Sequence, residues 1–184
     1  METQDKKFMR RAIAEARKSK DNGDVPFGAV IIKDGEVLVA MPNSEHLDQD
    51  VTKHAEVKAV SEASRILGRR DLSDCTIYST VEPCPMCAGA IFHSCISRVV
   101  FAISRDDLPH LFRTRNIRLW DLAADWHYSP ELTRGVMRDE AIEVFESYSA
   151  AFRVVPSAIA TESNPTHNHN PFIGKIAQQA AEAL

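Results

Sequence analysis

His54-Ala55-Glu56 and Pro83-Cys84-Pro85-Met86-Cys87 are the two short pieces from which this chain of 184 residues is best read. One imidazole and two thiolates make three ligands for a tetrahedral zinc and leave the fourth position to water, whereas a closed structural site would use four protein ligands. No obvious fourth ligand accompanies these three. Glu56 lies two residues past the histidine, placed as a base and not as a ligand. Singly, each part is weak. A lone histidine at a helix start is usually satisfied or on the surface, and a lone C-x-x-C also serves as a redox pair or half of a structural zinc site. Together they point to one zinc per subunit held by His54, Cys84 and Cys87, with Glu56 beside it.

The surroundings place both pieces at helix starts. Phe8, Met9, Ala12, Ile13 and Ala16 recur at helical spacing within Asp5 to Lys20, and Asp21-Asn22-Gly23-Asp24 stops that helix. Phe27 to Ile32 reads as a buried strand, Asp34-Gly35 as a hairpin turn and Glu36 to Ala40 as the partner strand. A polar loop, Pro42 to Lys53, leads to a helix over His54 to Leu67 that ends at Gly68. Cys75 to Thr80 is a third strand, Cys84 to Cys95 a helix with Pro85 tolerated in its first turn, and Arg98 to Ile103 a fourth strand. Thiolates suit a helix N-terminus, where free N–H groups and the helix dipole favour negative charge. A loop and a short helix ending near Ala124, a strand over Glu131 to Val136 and a helix over Arg138 to Phe152 complete the expected domain, 1–155. Strands alternating with helices imply a central sheet covered by helices. Pro156 to Asn170, rich in Ser, Thr, Asn and Pro, reads as a linker within a 156–184 tail, with a short Ala-rich helix over Ile173 to Leu184 that is marginal alone. His167 and His169 read as part of that polar tail.

Composition narrows the partners. The chain is 44% hydrophobic and 26% charged, with net charge −4, which argues against a generally basic, phosphate-binding surface. No apolar run reaches membrane-spanning length. Met1 to Arg11 is charged and lacks the apolar stretch of a secretion signal. A reducing cytoplasm is the expected setting, where closely spaced cysteines more often bind metal than form disulfides. Cys75 and Cys95, each in an apolar run, read as small buried side chains. The stretch from Arg105 to Arg118, with Arg113 and Arg115, reads as a solvated or interface face, with phosphate contact as the alternative.

The H-x-E … P-C-x-x-C pattern is that of zinc deaminases acting on nucleobases. Over roughly Lys6 to Arg153 the chain resembles the cytidine deaminase-like superfamily, in its guanine deaminase and tRNA adenosine deaminase branches. The matching pieces are Val25-Pro26-Phe27-Gly28-Ala29-Val30, His54-Ala55-Glu56-Val57 and Glu82-Pro83-Cys84-Pro85-Met86-Cys87-Ala88-Gly89-Ala90-Ile91. The resemblance implies an α/β fold, a three-layer α/β/α arrangement with a central mixed five-stranded sheet, and a homodimer. It implies that Asn43 helps hold the substrate, that Phe27 lines the pocket, and that the backbone near Ala29 and one side of His54 face the ring. Glu56 would carry protons between water, ring nitrogen and leaving amine.

The branch is not decided by these motifs. His93-Ser94 and Arg98-Val99-Val100-Phe101, with Leu132 to Phe152, look like the tRNA-editing branch. However, Ser104-Arg105-Asp106-Asp107-Leu108-Pro109 stands where that branch has a Lys-, Gly- and Ala-rich segment. Asp50-Val51-Thr52-Lys53 replaces the usual Asp-Pro-Thr-Ala, and Phe27 is larger than the aliphatic residue usual in tRNA editors. The favoured expectation is therefore a zinc-dependent hydrolytic deaminase of a small nucleobase, nucleoside or aminated heterocycle, guanine-type first. A tRNA adenosine deaminase is the alternative, and a non-catalytic zinc-stabilised interaction domain is the third reading. Arginines 98 to 118 and Lys53 gathered on one face would favour tRNA; their scatter would favour the small ring.

Overall fold

A computed structural model describes residues 3–108 and 117–152. Helix α1 (Gln4–Asp21) starts at Thr3, whose hydroxyl accepts the Lys6 N–H, and buries Phe8, Met9, Ala12, Ile13 and Ala16. Strands β1 (Gly28–Lys33) and β2 (Glu36–Pro42) form a hairpin through Asp34-Gly35, with φ of 51° and 77°. Positive φ at both central residues gives the turn whose twist matches that of paired strands. Helix α2 (Ala55–Leu67) ends at the left-handed Gly68. Strand β3 (Cys75–Val81), helix α3 (Pro85–His93), strand β4 (Arg98–Ile103), helix α4 (Leu119–Asp125), strand β5 (Glu131–Arg134) and helix α5 (Arg138–Phe152) follow in order.

The sheet order is β2-β1-β3-β4-β5, with β1 antiparallel to both neighbours and β3, β4 and β5 mutually parallel. Successive side chains leave a strand on opposite faces, so β1, buried over Gly28 to Ile32, feeds two cores. Ala29 and Ile31 join Ile77, Val99 and Phe101 under α2, α3 and α4. Val30 and Ile32 join Tyr78, Val100 and Ala102 under α1 and α5. The result is the expected three-layer α/β/α arrangement around a mixed five-stranded sheet. The parallel strands end beside the start of α3, the edge at which open α/β sheets bind ligands.

Several expectations need correction. Helix α3 stops at His93, and Cys95 is exposed in a left-handed turn (φ 56°) after the Ser94 cap, so it is not a buried side chain. Strand β5 ends at Arg134, because Gly135 (φ 79°) and Met137 (φ 55°) turn the chain into α5. Cys75 is buried as expected. The described residues lie within one compact unit, Met1–Arg153. The expectations for Pro156–Asn170, for His167 and His169 and for the helix over Ile173–Leu184 lie outside the described residues, as do Arg113 and Arg115. No described helix is long and apolar enough to cross a membrane.

Gly28 sets how closely α1 lies on the sheet. A Cβ there would stand 2.2 Å from the Ala12 carbonyl oxygen and 2.5 Å from the Ala16 nitrogen, both backbone atoms that cannot step aside. Gly28→Ala should therefore lower unfolding free energy by about 3 kcal/mol or more, read by urea denaturation at equal zinc loading. A change under about 0.5 kcal/mol would mean that α1 is free to shift.

Candidate active site

His54 and Cys84 are the N-cap residues of α2 and α3, so two helix starts converge on one point. The His54 ring makes no capping bond to its own helix and turns to the thiols instead. Its Nδ1 lies 3.4 Å from the Cys87 sulfur and 3.7 Å from that of Cys84, and the two sulfurs are 3.5 Å apart. A tetrahedral zinc with Zn–S of about 2.3 Å and Zn–N of about 2.0–2.1 Å separates its ligand atoms by about 3.5–3.8 Å. The observed triangle fits that ion closely. His54, Cys84 and Cys87 are the only group of three metal-type donors that comes together among the described residues.

The electrostatics of the triangle also ask for a cation. The Cys84 thiol is drawn down to about 3 by the hydrogen bond from Cys87, with help from His54, against the cost of burial. Cys87 is pushed well above the ordinary thiol value by Cys84 and by burial. Two thiols in one site give up a first proton readily and a second only against a like charge. A divalent ion removes that opposition, so binding it is coupled to release of the second proton.

Around the ligands the structure adds partners that no motif announces. The other ring nitrogen of His54, Nε2, faces Glu45 Oε2 at 3.2 Å. A carboxylate accepting from Nε2–H leaves Nδ1 bare toward the thiols, the arrangement by which such partners orient a ligating histidine. Glu56, in the first turn of α2, is buried, and the Ser79 hydroxyl of β3 donates to its Oε1 at 3.2 Å. Burial pushes the Glu56 carboxyl up, the Cys84 charge adds to this, and His54 and Ser79 oppose it. Glu82, between β3 and Cys84, is almost wholly buried. It accepts a two-pronged bond from the Arg118 guanidinium, as well as the Ser104 hydroxyl and the Arg105 and Leu119 N–H groups. That pair ties the segment leading into Cys84 to the start of α4. Arg118 is thus neither a solvated charge nor a phosphate contact; its side chain is the counter-ion of Glu82.

The remaining sequence-predicted residues lie on β1 and on the segments that flank it and β2. Asn43 follows β2, and its N–H donates to the Phe27 carbonyl at 2.9 Å. Its side-chain NH₂ donates to Asp24 at 2.7 Å, while its Oδ1 is buried without a hydrogen-bond partner among the described residues. The Phe27 ring lies near parallel to His54 (25°, centroids 6.3 Å apart) and tilted against Phe145 of α5 at 5.4 Å. Ala29 is buried in β1 between Met41 and Ser79, the residue that reaches Glu56. Glu45, Asp24, Ser79 and Glu82 escaped the sequence reading. For the three acids the only signal available was an acid in each loop that borders a motif, and Ser79 within β3 carried none.

Removing the Glu45 carboxylate tests its role on the ligand. Glu45→Ala should weaken zinc binding about 10- to 100-fold in competition against a chelator, while Cys84→Ser should lose stoichiometric zinc altogether. Unchanged zinc affinity in Glu45→Ala would remove Glu45 from the metal's surroundings.

Comparison with known proteins agrees with this geometry. A model of the family described as the cytidine and deoxycytidylate deaminase zinc-binding region matches residues 2–103. The tRNA-specific adenosine deaminase of Bacillus subtilis (strain 168) is 43% identical over 99 residues, covering 54% of this chain and 62% of that protein. The guanine deaminase of the same organism is 41% identical over 101 residues, covering 54% and 65%. The chain therefore spans less than two thirds of the length of either relative. A solved guanine deaminase from Nitrosomonas europaea superposes with a TM-score of 0.71 at 25% identity, covering 79% of this chain and 84% of its own. With His54, Glu56, Cys84 and Cys87 all inside the matched region, the chain belongs to the deaminase family that carries this zinc-binding region.

Proposed function

We propose that the protein is a zinc-dependent hydrolytic deaminase, replacing an exocyclic amine on a nucleobase, nucleoside or related aminated heterocycle by a carbonyl, with guanine-type rings favoured. The observation that carries this reading is Glu56: a buried carboxyl with raised proton affinity on the same helix turn as His54. His54, Cys84 and Cys87 would hold the zinc, which when bound would lower the pKa of a water toward neutrality. Glu56 would take a proton from the attacking water and give it to the ring nitrogen beside the attacked carbon. It then carries a second proton to the departing amine, so that water and substrate become carbonyl product and ammonia. A carboxyl whose proton affinity is raised by burial suits both directions of transfer. Phe27 and the face of His54 hold the ring, the Asn43 carbonyl accepts from its edge, and the β1 backbone at Ala29 forms the floor.

The lean toward a small ring rests on the arginines. Arg98 is spent on Asp5, Glu131, Tyr78 and Thr133, and Arg118 on Glu82 and Asp106. The first sits at the start of β4 and the second beside the end of β3, so these two do not form a track for a phosphate backbone. The second reading, a tRNA adenosine deaminase, is supported by the 43% identity to the B. subtilis tRNA-specific protein across the zinc region. We also propose a homodimer. Val51, before His54, and Met86, between the two ligating cysteines, are exposed apolar residues that a second copy would cover. Sedimentation showing a monomer at micromolar concentration would reject it.

The decisive measurement is ammonia release over guanine, adenine, cytosine, their nucleosides, aminotriazines and unmodified tRNA. Turnover of a small ring, guanine-type first, is expected. Turnover of tRNA alone would move the assignment to the second reading. Bound zinc with no turnover anywhere in the panel would leave the interaction-domain reading. Glu56→Gln should keep zinc and lose about 10²–10⁴-fold in rate; retained turnover would refute the proton shuttle.

A further inference from the structure

We propose that Asp24 fixes the polarity of the Asn43 amide, so that the site accepts heterocycles presenting a ring N–H to the Asn43 carbonyl and refuses those that have lost that hydrogen. This rests on reading the site as a base pocket. Asp24 is completely buried at the end of α1, yet it is fully occupied. Its Oδ1 accepts the Asn43 side-chain NH₂ and the Val25 N–H, both at 2.7 Å. Its Oδ2 accepts the N–H groups of His46 (2.9 Å) and Leu47 (3.0 Å). Burial pushes its proton affinity up, but these donors together outweigh it, so Asp24 stays ionised. An ionised carboxylate accepts only. Asn43 must therefore turn its NH₂ to Asp24, and its orientation follows from the network and not from a choice between look-alike atoms.

The backbone cannot undo this. The Asn43 N–H is held by the Phe27 carbonyl, and its own carbonyl is approached at 3.1 Å by the Ser19 hydroxyl, which also reaches the Val25 carbonyl at 2.6 Å. What remains is Asn43 Oδ1, buried with nothing in the described protein to meet it. A shielded acceptor left unmet is costly, and an incoming N–H gains most at such an atom. The residue that clamps Asn43, Phe27, is the one stacked toward the zinc-ligating His54. The same Asp24 also holds the first turns of the loop carrying Glu45, the partner of His54. One buried carboxylate therefore sets both the ring-reading atom and the loop beside the metal ligand.

The test compares guanine with its N1-, N7- and N9-methyl derivatives by calorimetric binding to the zinc-loaded Glu56→Gln protein. At least one methyl derivative should bind about tenfold to a hundredfold more weakly than guanine. In Asp24→Asn the amide of Asn43 is free to reverse, and that ratio should collapse toward one with zinc retained. In the reciprocal swap, Asp24→Asn with Asn43→Asp, an acceptor again faces the ring and the ratio should return, which a merely structural role would not produce. Equal binding of all four rings by the parent protein, an unchanged ratio in Asp24→Asn, or a folded, zinc-loaded swap without recovery would each overturn the proposal. If Asp24→Asn does not fold, the Asn43 side-chain amide in the unsubstituted protein decides: one proton shifted downfield and slow to exchange supports it, and rapid exchange of both overturns it. Ring discrimination without deamination would sink the proposed reaction and leave this inference standing. Deamination without discrimination would do the reverse.

Discussion

Two helix starts are forced together by three side chains. His54 and Cys84 occupy positions where a helix usually takes a serine or an aspartate to satisfy its own N–H groups, and His54 gives up that bond to face the thiols. Cys87, one turn into α3, completes the triangle from inside the core. Three donors at 3.4–3.7 Å, two of them thiols competing over deprotonation, make a poor site without a cation and a well-shaped one with it. Because α2 and α3 lie on the same face of the sheet, the ligand triangle also fastens that layer at the end of β3. A bound ion would add to the apolar packing that already seats those two helices on the sheet.

The acids near this triangle are told apart by their surroundings and not by their type. Glu56 has one hydroxyl donor and deep burial, and its proton affinity rises. Glu82 is as buried, and burial pushes it up too, but the Arg118 guanidinium and the N–H groups of Arg105 and Leu119 outweigh that and hold it ionised. Asp24 is held down by four N–H donors. Of the three, only Glu56 has its proton affinity raised, which is the direction a shuttle needs. The other two keep fixed charges that position backbone: Glu82 at the approach to Cys84, and Asp24 at the loop before His54.

This division explains which features could be read from the chain. The alternation of Ala29 and Ile31 with Val30 and Ile32, the stripe on α1, the Asp34-Gly35 turn and the helix-start placement of His54 and Cys84 are local patterns, and local patterns survive into the fold. The zinc ligands and Glu56 were legible because their spacing carries the chemistry. Asp24, Ser79 and Glu82 were not, because each acquires its role through a distant partner, and Glu45 was not, because its meeting with His54 depends on how the loop between them folds. Asp24 meets Asn43 across 19 residues, Ser79 meets Glu56 across 23, and Glu82 meets Arg118 across 36. Cys95 misled for a related reason. Its apolar neighbours suggested burial, and only the left-handed turn after Ser94 shows that the helix has already ended.

The same separation accounts for relatives with different substrates sharing one motif. The groups that would make and move protons sit on α2, α3 and β3, where the spacing is rigid. The groups that would meet the ring come from elsewhere: Asn43 from the end of β2, Phe27 from the α1–β1 connection, and Phe145, which backs Phe27, from the last helix. A change of substrate can then be made by loops and by α5 without disturbing the metal triangle. In this chain the connection before β1 contains Asp24, whose four bonds leave the Asn43 amide one orientation. On the proposed reading, the edge of the ring would be selected by a residue far from the reacting carbon in the order of contacts. A search for specificity among the zinc ligands would look in the wrong layer.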